Sequence, residues 1–175
     1  IVARGGIARQ LTDLADKLLG WIRGGLGHTT LIACAFFAGI SGSNSGDTAA
    51  IGRIMIPSLK KDGYDQPYAA ALAAAGGSVG IIIPPSIVFI VYGLATSTSV
   101  GSLFLGGILP GFILTISMCV ANYTVSWKNN YGSSEQKHFS LKATVKSVYT
   151  SRHGLAAPVI ILGGIYGGIF TPTEA

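Results

Sequence analysis

The chain has 175 residues, of which 12 are Lys or Arg and 7 are Asp or Glu, so charged residues make up only 11%. A soluble domain usually carries about 25% charged residues. With 49% hydrophobic residues and 25 glycines, the composition excludes a disordered chain and argues against a soluble enzyme. We therefore predict an all-α polytopic membrane protein whose small residues allow close helix packing.

The formal net charge of +5 does not indicate a nucleic-acid partner. The basic residues stand in short polar segments between apolar runs, which is the pattern of loops that face the cytoplasm. Cys34 and Cys119 lie in apolar stretches without metal-ligand spacing, which is typical of buried apolar residues. Because the chain has no initiator Met and stops after Thr-Pro-Thr-Glu-Ala, we expect it to be part of a longer polypeptide.

The first third of the chain predicts an amphipathic helix followed by a hairpin. Residues 1–23 alternate apolar and charged positions at helical spacing, which favours a helix in the membrane interface over one packed as in a soluble protein. In residues 24–61 the apolar stretch is too short for the ~20 residues that a span needs. A polar tip interrupts it, and a second short helix is expected from Thr48 to Ile56, ending near Pro57 and Lys60-Lys61. We predict a re-entrant hairpin whose two mouths face the cytoplasm.

The remaining segments predict a broken transmembrane helix, a complete span, a cytoplasmic loop and a further membrane segment. Residues 67–95 begin with Pro67 and are interrupted by a glycine cluster and by Pro84-Pro85, which cannot continue an intact helix. Residues 101–127 are long enough to cross the membrane. The basic residues 128–154 form a cytoplasmic loop with a short amphipathic helix, and residues 155–175 start a further membrane segment.

The two interruptions indicate the chemistry of the site. Non-helical backbone at membrane depth survives only inside protein or around a hydrated cavity, and discontinuous helices form substrate and ion sites in secondary transporters. Hydroxyl, amide and freed carbonyl oxygens suit Na⁺, whereas the N-terminus of the second half-helix suits an anionic group. Ordinary turns and a simple proline kink are the alternative, which two interruptions in one short stretch make less favourable.

The sequence allows more than one role for each of three charged residues, and it assigns no metal site to the histidines. Asp47 is either an ion ligand or proton carrier, or the N-cap of the half-helix. Arg53 could attract anions, although an ion pair or an interfacial contact is favoured. Glu174 is a possible functional carboxylate or a cap. The histidines lack metal-ligand spacing and are interpreted as interfacial or loop residues: His28, His138 and His153.

Several motifs together resemble the large membrane subunit of tripartite ATP-independent periplasmic transporters, the DctM-type M subunit. The first is Gly-Ile-Ser-Gly-Ser-Asn-Ser-Gly-Asp-Thr-Ala-Ala-Ile-Gly from Gly39, followed by Ile-Pro-Ser-Leu-Lys-Lys-Asp-Gly-Tyr-Asp from Ile56. The others are Ile-Pro-Pro-Ser-Ile from Ile83 and Gly-Gly-Ile-Tyr-Gly-Gly-Ile-Phe-Thr-Pro-Thr-Glu-Ala from Gly163, besides Gly-Gly-Ile-Ala-Arg-Gln-Leu near the start. They run through nearly the whole chain in order.

The resemblance implies an elevator-type secondary transporter built from two inverted repeats, of which this chain holds the first hairpin and broken helix. It also implies a first Na⁺ site on both interruptions, at Ser41, Ser43, Asn44, Ser45, Gly77, Val79, Gly80 and Pro84. The candidates for contact with the substrate are Gly46, Asp47, Thr48, Pro85 and Ser86.

The resemblance further implies Na⁺-coupled uptake of an organic acid, of the sialic acid or C4-dicarboxylate class, across the bacterial inner membrane. The expected partners are a small membrane subunit of the Q type, a periplasmic substrate-binding protein of the P type, and membrane lipid. Asn44, Asp47 and Arg53 depart from the commoner family sequence and favour a sialic-acid-type or otherwise specialised member. A channel or passive pore is the alternative function, but the polarity here gathers at helix breaks and not along complete helices. An enzyme is not expected, because no catalytic motif appears and no organic cofactor is implied.

Overall fold

The computed structural model describes residues 6–132, 141–169 and 171 of the chain. Within these residues every regular element is a helix, as the composition predicts. The α-helices in chain order are α1 (Ile7–Leu19), α2 (Gly25–Ser41), α3 (Asn44–Lys61), α4 (Gln66–Ser78), α5 (Ile87–Thr96), α6 (Val100–Asn129), α7 (Leu141–Thr150) and α8 (Arg152–Tyr166). A short 3₁₀ turn, Val79–Ile81, follows α4 directly.

Helix α1 is amphipathic, but its apolar face packs against protein. Leu11 and Leu14 are 0% and 2% exposed, and α1 lies along α2. The sequence pattern assigns this face to the membrane interface, whereas in the structure α2 and its neighbours cover it. An amphipathic stripe looks the same in a sequence whether lipid or protein covers it, which is why the pattern alone does not separate the two.

Helices α2 and α3 form a hairpin with a two-residue connection. Gly42 ends α2 in the left-handed conformation, with φ of 59°, and its N–H donates to Ala38 O at 3.1 Å. Helix α3 then starts at Asn44, four residues before the predicted Thr48, and continues through Pro57 to Lys61. The early start follows from the Ser43 side chain, which caps the helix, and buried Leu59 anchors the turn beyond Pro57.

The interrupted helix consists of α4, the 3₁₀ turn, an irregular stretch over residues 82–86, and α5. Helix α4 starts with Pro67 in its first turn and extends to Ser78, so the interruption begins after the glycine pair and not within it. Pro84 and Pro85 lie in the irregular stretch, joined by a cis peptide bond. The Ser86 side chain caps α5 by accepting from Phe89 N at 3.5 Å.

Helix α6 is the only helix in the described part of the chain that is long and apolar enough to cross a membrane. Its 30 residues have a mean hydropathy of 2.1 in their most apolar window. At about 1.5 Å rise per residue the helix is about 45 Å long. One face is buried and carries small or polar residues, namely Gly107, Gly111, Thr115, Asn122 and Ser126. The opposite face exposes large apolar side chains, including Leu105, Leu109, Phe112, Ile113, Ile116 and Val120.

The last two described helices are attached to α1. The Thr144 hydroxyl donates to Lys17 O at 3.4 Å, and the Ser151 hydroxyl donates to Gln10 O at 2.9 Å. Helix α8 begins at Arg152, before the predicted membrane segment at residue 155. Glu174 and His138 lie outside the described residues.

Candidate functional site

The polar tip of the hairpin is built by the end of α2 and the start of α3. Ser41 is the last residue of α2, and the Ser43 side chain caps α3 by accepting from Gly46 N at 3.3 Å. Ser43 N in turn donates to the Ser41 hydroxyl at 3.1 Å. These bonds fold the connection back on itself, so that the hydroxyl groups and the first turn of α3 share a small volume.

Asp47 is fully buried beneath this tip. Its Oδ1 accepts a hydrogen bond from the Ser41 hydroxyl, and its buried Oδ2 has no hydrogen-bond partner. The sequence left two roles open for Asp47, and the structure removes one of them, because Ser43 and not Asp47 is the N-cap of α3. A buried carboxylate oxygen without a donor is costly unless a cation or a proton satisfies it.

The break of the interrupted helix packs directly on the tip through two glycines. A Cβ built on Gly80 would overlap Asp47 Oδ2, and one built on Gly77 would overlap the Thr48 hydroxyl oxygen. Val79, between them, is fully buried. The 3₁₀ turn therefore brings its backbone against the unpartnered carboxylate oxygen, which only residues without a side chain permit.

The irregular stretch after the break holds the hairpin from the other side. Ile87 N donates to Gly42 O at 3.3 Å, and a Cβ on Gly42 would lie 2.5 Å from Pro85 O. The Ser86 hydroxyl is buried and donates to Ile81 O at 2.8 Å, besides capping α5. Both hydrogen bonds of the Ser86 hydroxyl are therefore made with groups of the protein. Pro84 and Pro85 restrict the backbone that runs along the tip.

An open cavity of about 350 Å³ lies beside the tip. Asn44, Ser45 and Gly46 are exposed there, and Asn44 Oδ1 accepts from the Thr48 hydroxyl at 3.3 Å. The cavity is lined by Gly42, Ser43, Asn44, Ser45, Ile81, Ile87 and Val88. The sequence does not identify the apolar lining residues Ile81, Ile87 and Val88, because isoleucine and valine in an apolar run do not indicate a site.

The structure thus separates the predicted site residues into two layers. Ser41, Asp47, Gly77, Val79 and Gly80 form an inner layer in which a carboxylate, hydroxyls and backbone meet. The outer layer contains Ser43, Asn44 and Ser45, which line the cavity, and also Gly46 and Thr48 in the same turn of α3. Arg53 is exposed on α3 away from this core, and Glu174 lies outside the described residues.

The inner layer has the chemistry of a site for a hard monovalent cation. Carboxylate and hydroxyl oxygens are the ligands that such ions prefer, and Asp47 Oδ2 is buried without a partner. In the part of the chain that the structure describes, no three His, Cys, Asp or Glu side chains come together as they would at a transition-metal site. The residues present therefore fit a sodium ion.

The fold and the site define a class of protein: a helical membrane protein in which a helical hairpin and an interrupted helix meet at one polar point, as in secondary transporters. The comparison with known families agrees with this class. All residues, 1–175, match the family described as the tripartite ATP-independent periplasmic transporter, DctM component. The chain belongs to this family, and the resemblance in its motifs is confirmed.

Curated relatives with known names are permeases of such systems. The chain is 44% identical over 171 residues to the isethionate TRAP transporter permease protein DctMQ of Oleidesulfovibrio alaskensis, covering 98% of this chain and 27% of that protein. It is 42% identical over 174 residues to the C4-dicarboxylate large permease protein DctM of Vibrio cholerae, covering 99% and 38%. The sialic acid large permease protein SiaM of Vibrio cholerae is 37% identical over 170 residues, covering 97% and 39%. The chain therefore spans well under half the length of these relatives.

Proposed function

We propose that this chain forms a cation-binding and substrate-contacting part of a permease that takes up an organic acid across the bacterial inner membrane, coupled to Na⁺. The observation that carries the proposal is the unpartnered Oδ2 of buried Asp47, which lies against the backbone of Gly80 at the break. The relatives are permeases of transport systems, and the tip provides a cation site next to an open cavity.

The two layers have different roles in this proposal. Asp47 and Ser41 hold Na⁺ in the inner layer, and the bound ion neutralises the carboxylate at the base of the cavity. The outer layer, with its hydroxyl and amide groups and the N-terminus of α3, then receives a carboxylate or sulfonate of the substrate. Although Asp47 is predicted to touch the substrate, we propose that it binds the ion instead, which its burial supports and which avoids repulsion between a bare carboxylate and an anion.

The relatives support a substrate class for this proposal. The chain is 44% identical to the isethionate permease and 42% identical to the Vibrio cholerae C4-dicarboxylate permease, compared with 37% for the sialic acid permease of the same organism. We therefore propose a small organic anion as substrate. As in the family, the hairpin is re-entrant and moves in an elevator-type cycle, with a small Q-type subunit and a P-type binding protein as partners.

Uptake into proteoliposomes tests this function, with the full-length permease, its small subunit and its binding protein present. We expect uptake of a dicarboxylate or isethionate to require an inward Na⁺ gradient. Asp47→Asn removes the charge that holds the ion and should raise the half-saturating Na⁺ concentration at least tenfold, which corresponds to about 1.4 kcal/mol. Asn44→Ala should raise it less, because Asn44 lies in the outer layer.

A matched control is Asn129→Ala, an exposed asparagine at the far end of α6. It should leave the half-saturating Na⁺ concentration unchanged. Uptake that is indifferent to Na⁺ would overturn the coupling, and an unchanged Na⁺ dependence in Asp47→Asn would remove Asp47 from the ion site. Uptake without a binding protein would contradict the tripartite assembly.

A further inference from the structure

Arg23 occupies a defined position at the opposite end of the molecule from the hairpin tip. It lies in the connection between α1 and α2, with its guanidinium carbon 4.9 Å from the ring centroid of Trp127 near the end of α6. Its Nη2 donates to the Asn130 side-chain oxygen. A cation–π contact and a hydrogen bond together hold the guanidinium in one orientation.

This guanidinium is not fully satisfied by the protein. Arg has five N–H donors, and within the described residues Arg23 makes one side-chain hydrogen bond, from Nη2. Its Nε is buried without a partner and is not accessible to a ligand, so the donors open to a ligand are those of the Nη end. Within the described residues, the side-chain acceptor that Arg23 meets is the neutral amide of Asn130. A guanidinium fork with free donors suits an anion with several oxygens, and phosphate matches its geometry in a bidentate manner.

The surroundings indicate where that phosphate comes from. Trp21, Tyr123 and Trp127 are exposed by 49%, 39% and 58%, and they lie on the same end of the molecule as Arg23. Trp and Tyr prefer the level of lipid headgroups. Lys128, next to Trp127, is also exposed and adds a second cation, while Asp62 lies near Gly24 at the same end. A phospholipid can place its phosphate on the cation and its acyl chains against the exposed aromatic rings. Free phosphate has no acyl chains and would leave these rings without a contact.

We propose that Arg23, held against Trp127, binds the phosphate of an anionic phospholipid in the cytoplasmic leaflet. The site is distinct from the hairpin tip and does not depend on the coupling ion. A bound headgroup there would join the start of α2 to the end of α6 through Arg23, and so would stabilise the base of the hairpin from the membrane side.

Native mass spectrometry of the full-length permease with defined lipids tests this proposal. Phosphatidylglycerol and phosphatidylcholine of identical acyl chains are titrated onto delipidated protein. A basic side chain near the membrane surface contributes about fivefold to anionic lipid binding, so we expect phosphatidylglycerol to bind about fivefold more tightly. Arg23→Gln should remove this preference, and Arg23→Lys should retain part of it.

The matched control is Arg152→Gln, because Arg152 also lies over an aromatic ring, 4.4 Å from the Tyr149 centroid. This control should keep the full preference. Equal loss in both variants, or equal binding of both lipids to the unchanged protein, would overturn the proposal. So would millimolar inorganic phosphate displacing the lipid, since that would define a site for a soluble anion. A melting temperature lowered by Arg23→Gln without lipid, with the preference intact, would assign Arg23 a structural role instead.

Discussion

The tip of the hairpin depends on individual residues that have no side chain. Gly77 and Gly80 allow the interrupted helix to approach Thr48 and Asp47 more closely than any Cβ would permit. Neither glycine has a positive φ, so their role is space and not conformational freedom. The contact places backbone dipoles beside a buried carboxylate, where an ion can replace the missing hydrogen bonds.

Gly80→Ala tests this contact. The added methyl group would overlap Asp47 Oδ2, so either the turn or the carboxylate must shift. We expect a loss of about 1–3 kcal/mol of stability and a higher half-saturating Na⁺ concentration. Thermal unfolding and Na⁺-dependent uptake of the full-length permease measure the two effects.

Gly106→Ala is the matched control, because a Cβ at Gly106 in α6 meets nothing within 4 Å. In a helix interior this exchange should be neutral or stabilising by up to about 1 kcal/mol. A Gly80→Ala variant with the stability and ion dependence of Gly106→Ala would show that the turn does not lie against the carboxylate.

At the scale of elements, α6 is joined to the hairpin by a buried polar network. Asn122 Nδ2 donates to Gly24 O at 3.2 Å, and Asn122 Oδ1 accepts from the Tyr68 hydroxyl, also at 3.2 Å. A Cβ on Gly27 would overlap the Asn122 side chain, so the start of α2 lies directly on α6. One asparagine therefore connects α2, α4 and α6.

Three tyrosines extend this network towards the loops. The rings of Tyr64 and Tyr68 both stack on Tyr131. The ring centroids of Tyr64 and Tyr131 are 4.6 Å apart. The Tyr131 hydroxyl donates to Asp65 Oδ2 at 2.6 Å, and this bond raises the pKa of Tyr131 because it is lost with the proton. The stack holds the connection between α3 and α4 against the end of α6.

Asn122→Ala tests the network. It leaves the Tyr68 hydroxyl without this acceptor and removes one of the two donors to the Gly24 carbonyl, which keeps His28 N, and this should cost about 1–3 kcal/mol. Asn129→Ala, which removes only an exposed side-chain bond to Val125 O, should cost less than about 0.5 kcal/mol. Melting temperatures of the two purified variants are compared, and equal values would contradict a role of Asn122 in joining the helices.

At the scale of the whole molecule, the outer surfaces differ in character. Apart from Trp21, the large hydrophobic side chains exposed in the described residues begin at Ile87 and continue along α5, α6, α7 and α8. The surfaces of α2, α3 and α4 expose no large hydrophobic residue. Large apolar side chains thus gather on one part of the surface, while the surfaces of the hairpin and α4 carry small and polar residues.

The distribution of basic residues predicts the orientation of α6. Thr98 precedes this helix in a segment without charge, and Asn129 at its end follows Lys128. In a Cys34→Ala, Cys119→Ala background, Thr98→Cys should react with a membrane-impermeant thiol reagent added to spheroplasts. Asn129→Cys should react only after the membrane is opened. The reverse order of labelling would invert the topology.

Much of the fold and part of the site are predictable from the sequence. Ser, Asn, Gly and Pro at membrane depth mark both interruptions, because these residues end helices by local backbone effects. The sequence predicts that α3 starts at Thr48, because Asn44 and Ser45 are typical turn residues. In the structure the Ser43 side chain caps the helix, so both residues are helical. Likewise, the predicted helix extends only to Ile56, whereas packing around Leu59 carries α3 through Pro57 to Lys61, in the lysine pair that the sequence also marks as its end.

By itself, the sequence determined the helical class, the family and the positions of the two interruptions, because these follow from composition and from local hydrogen bonding. Only the tertiary structure decided what the interruptions bring together. Asp47 is buried under Ser41 and against Gly80 because helices distant in the chain pack on one another. Protein, not lipid, covers the apolar face of α1 for the same reason. Periodicity shows which side of a helix is apolar, whereas packing decides what that side contacts.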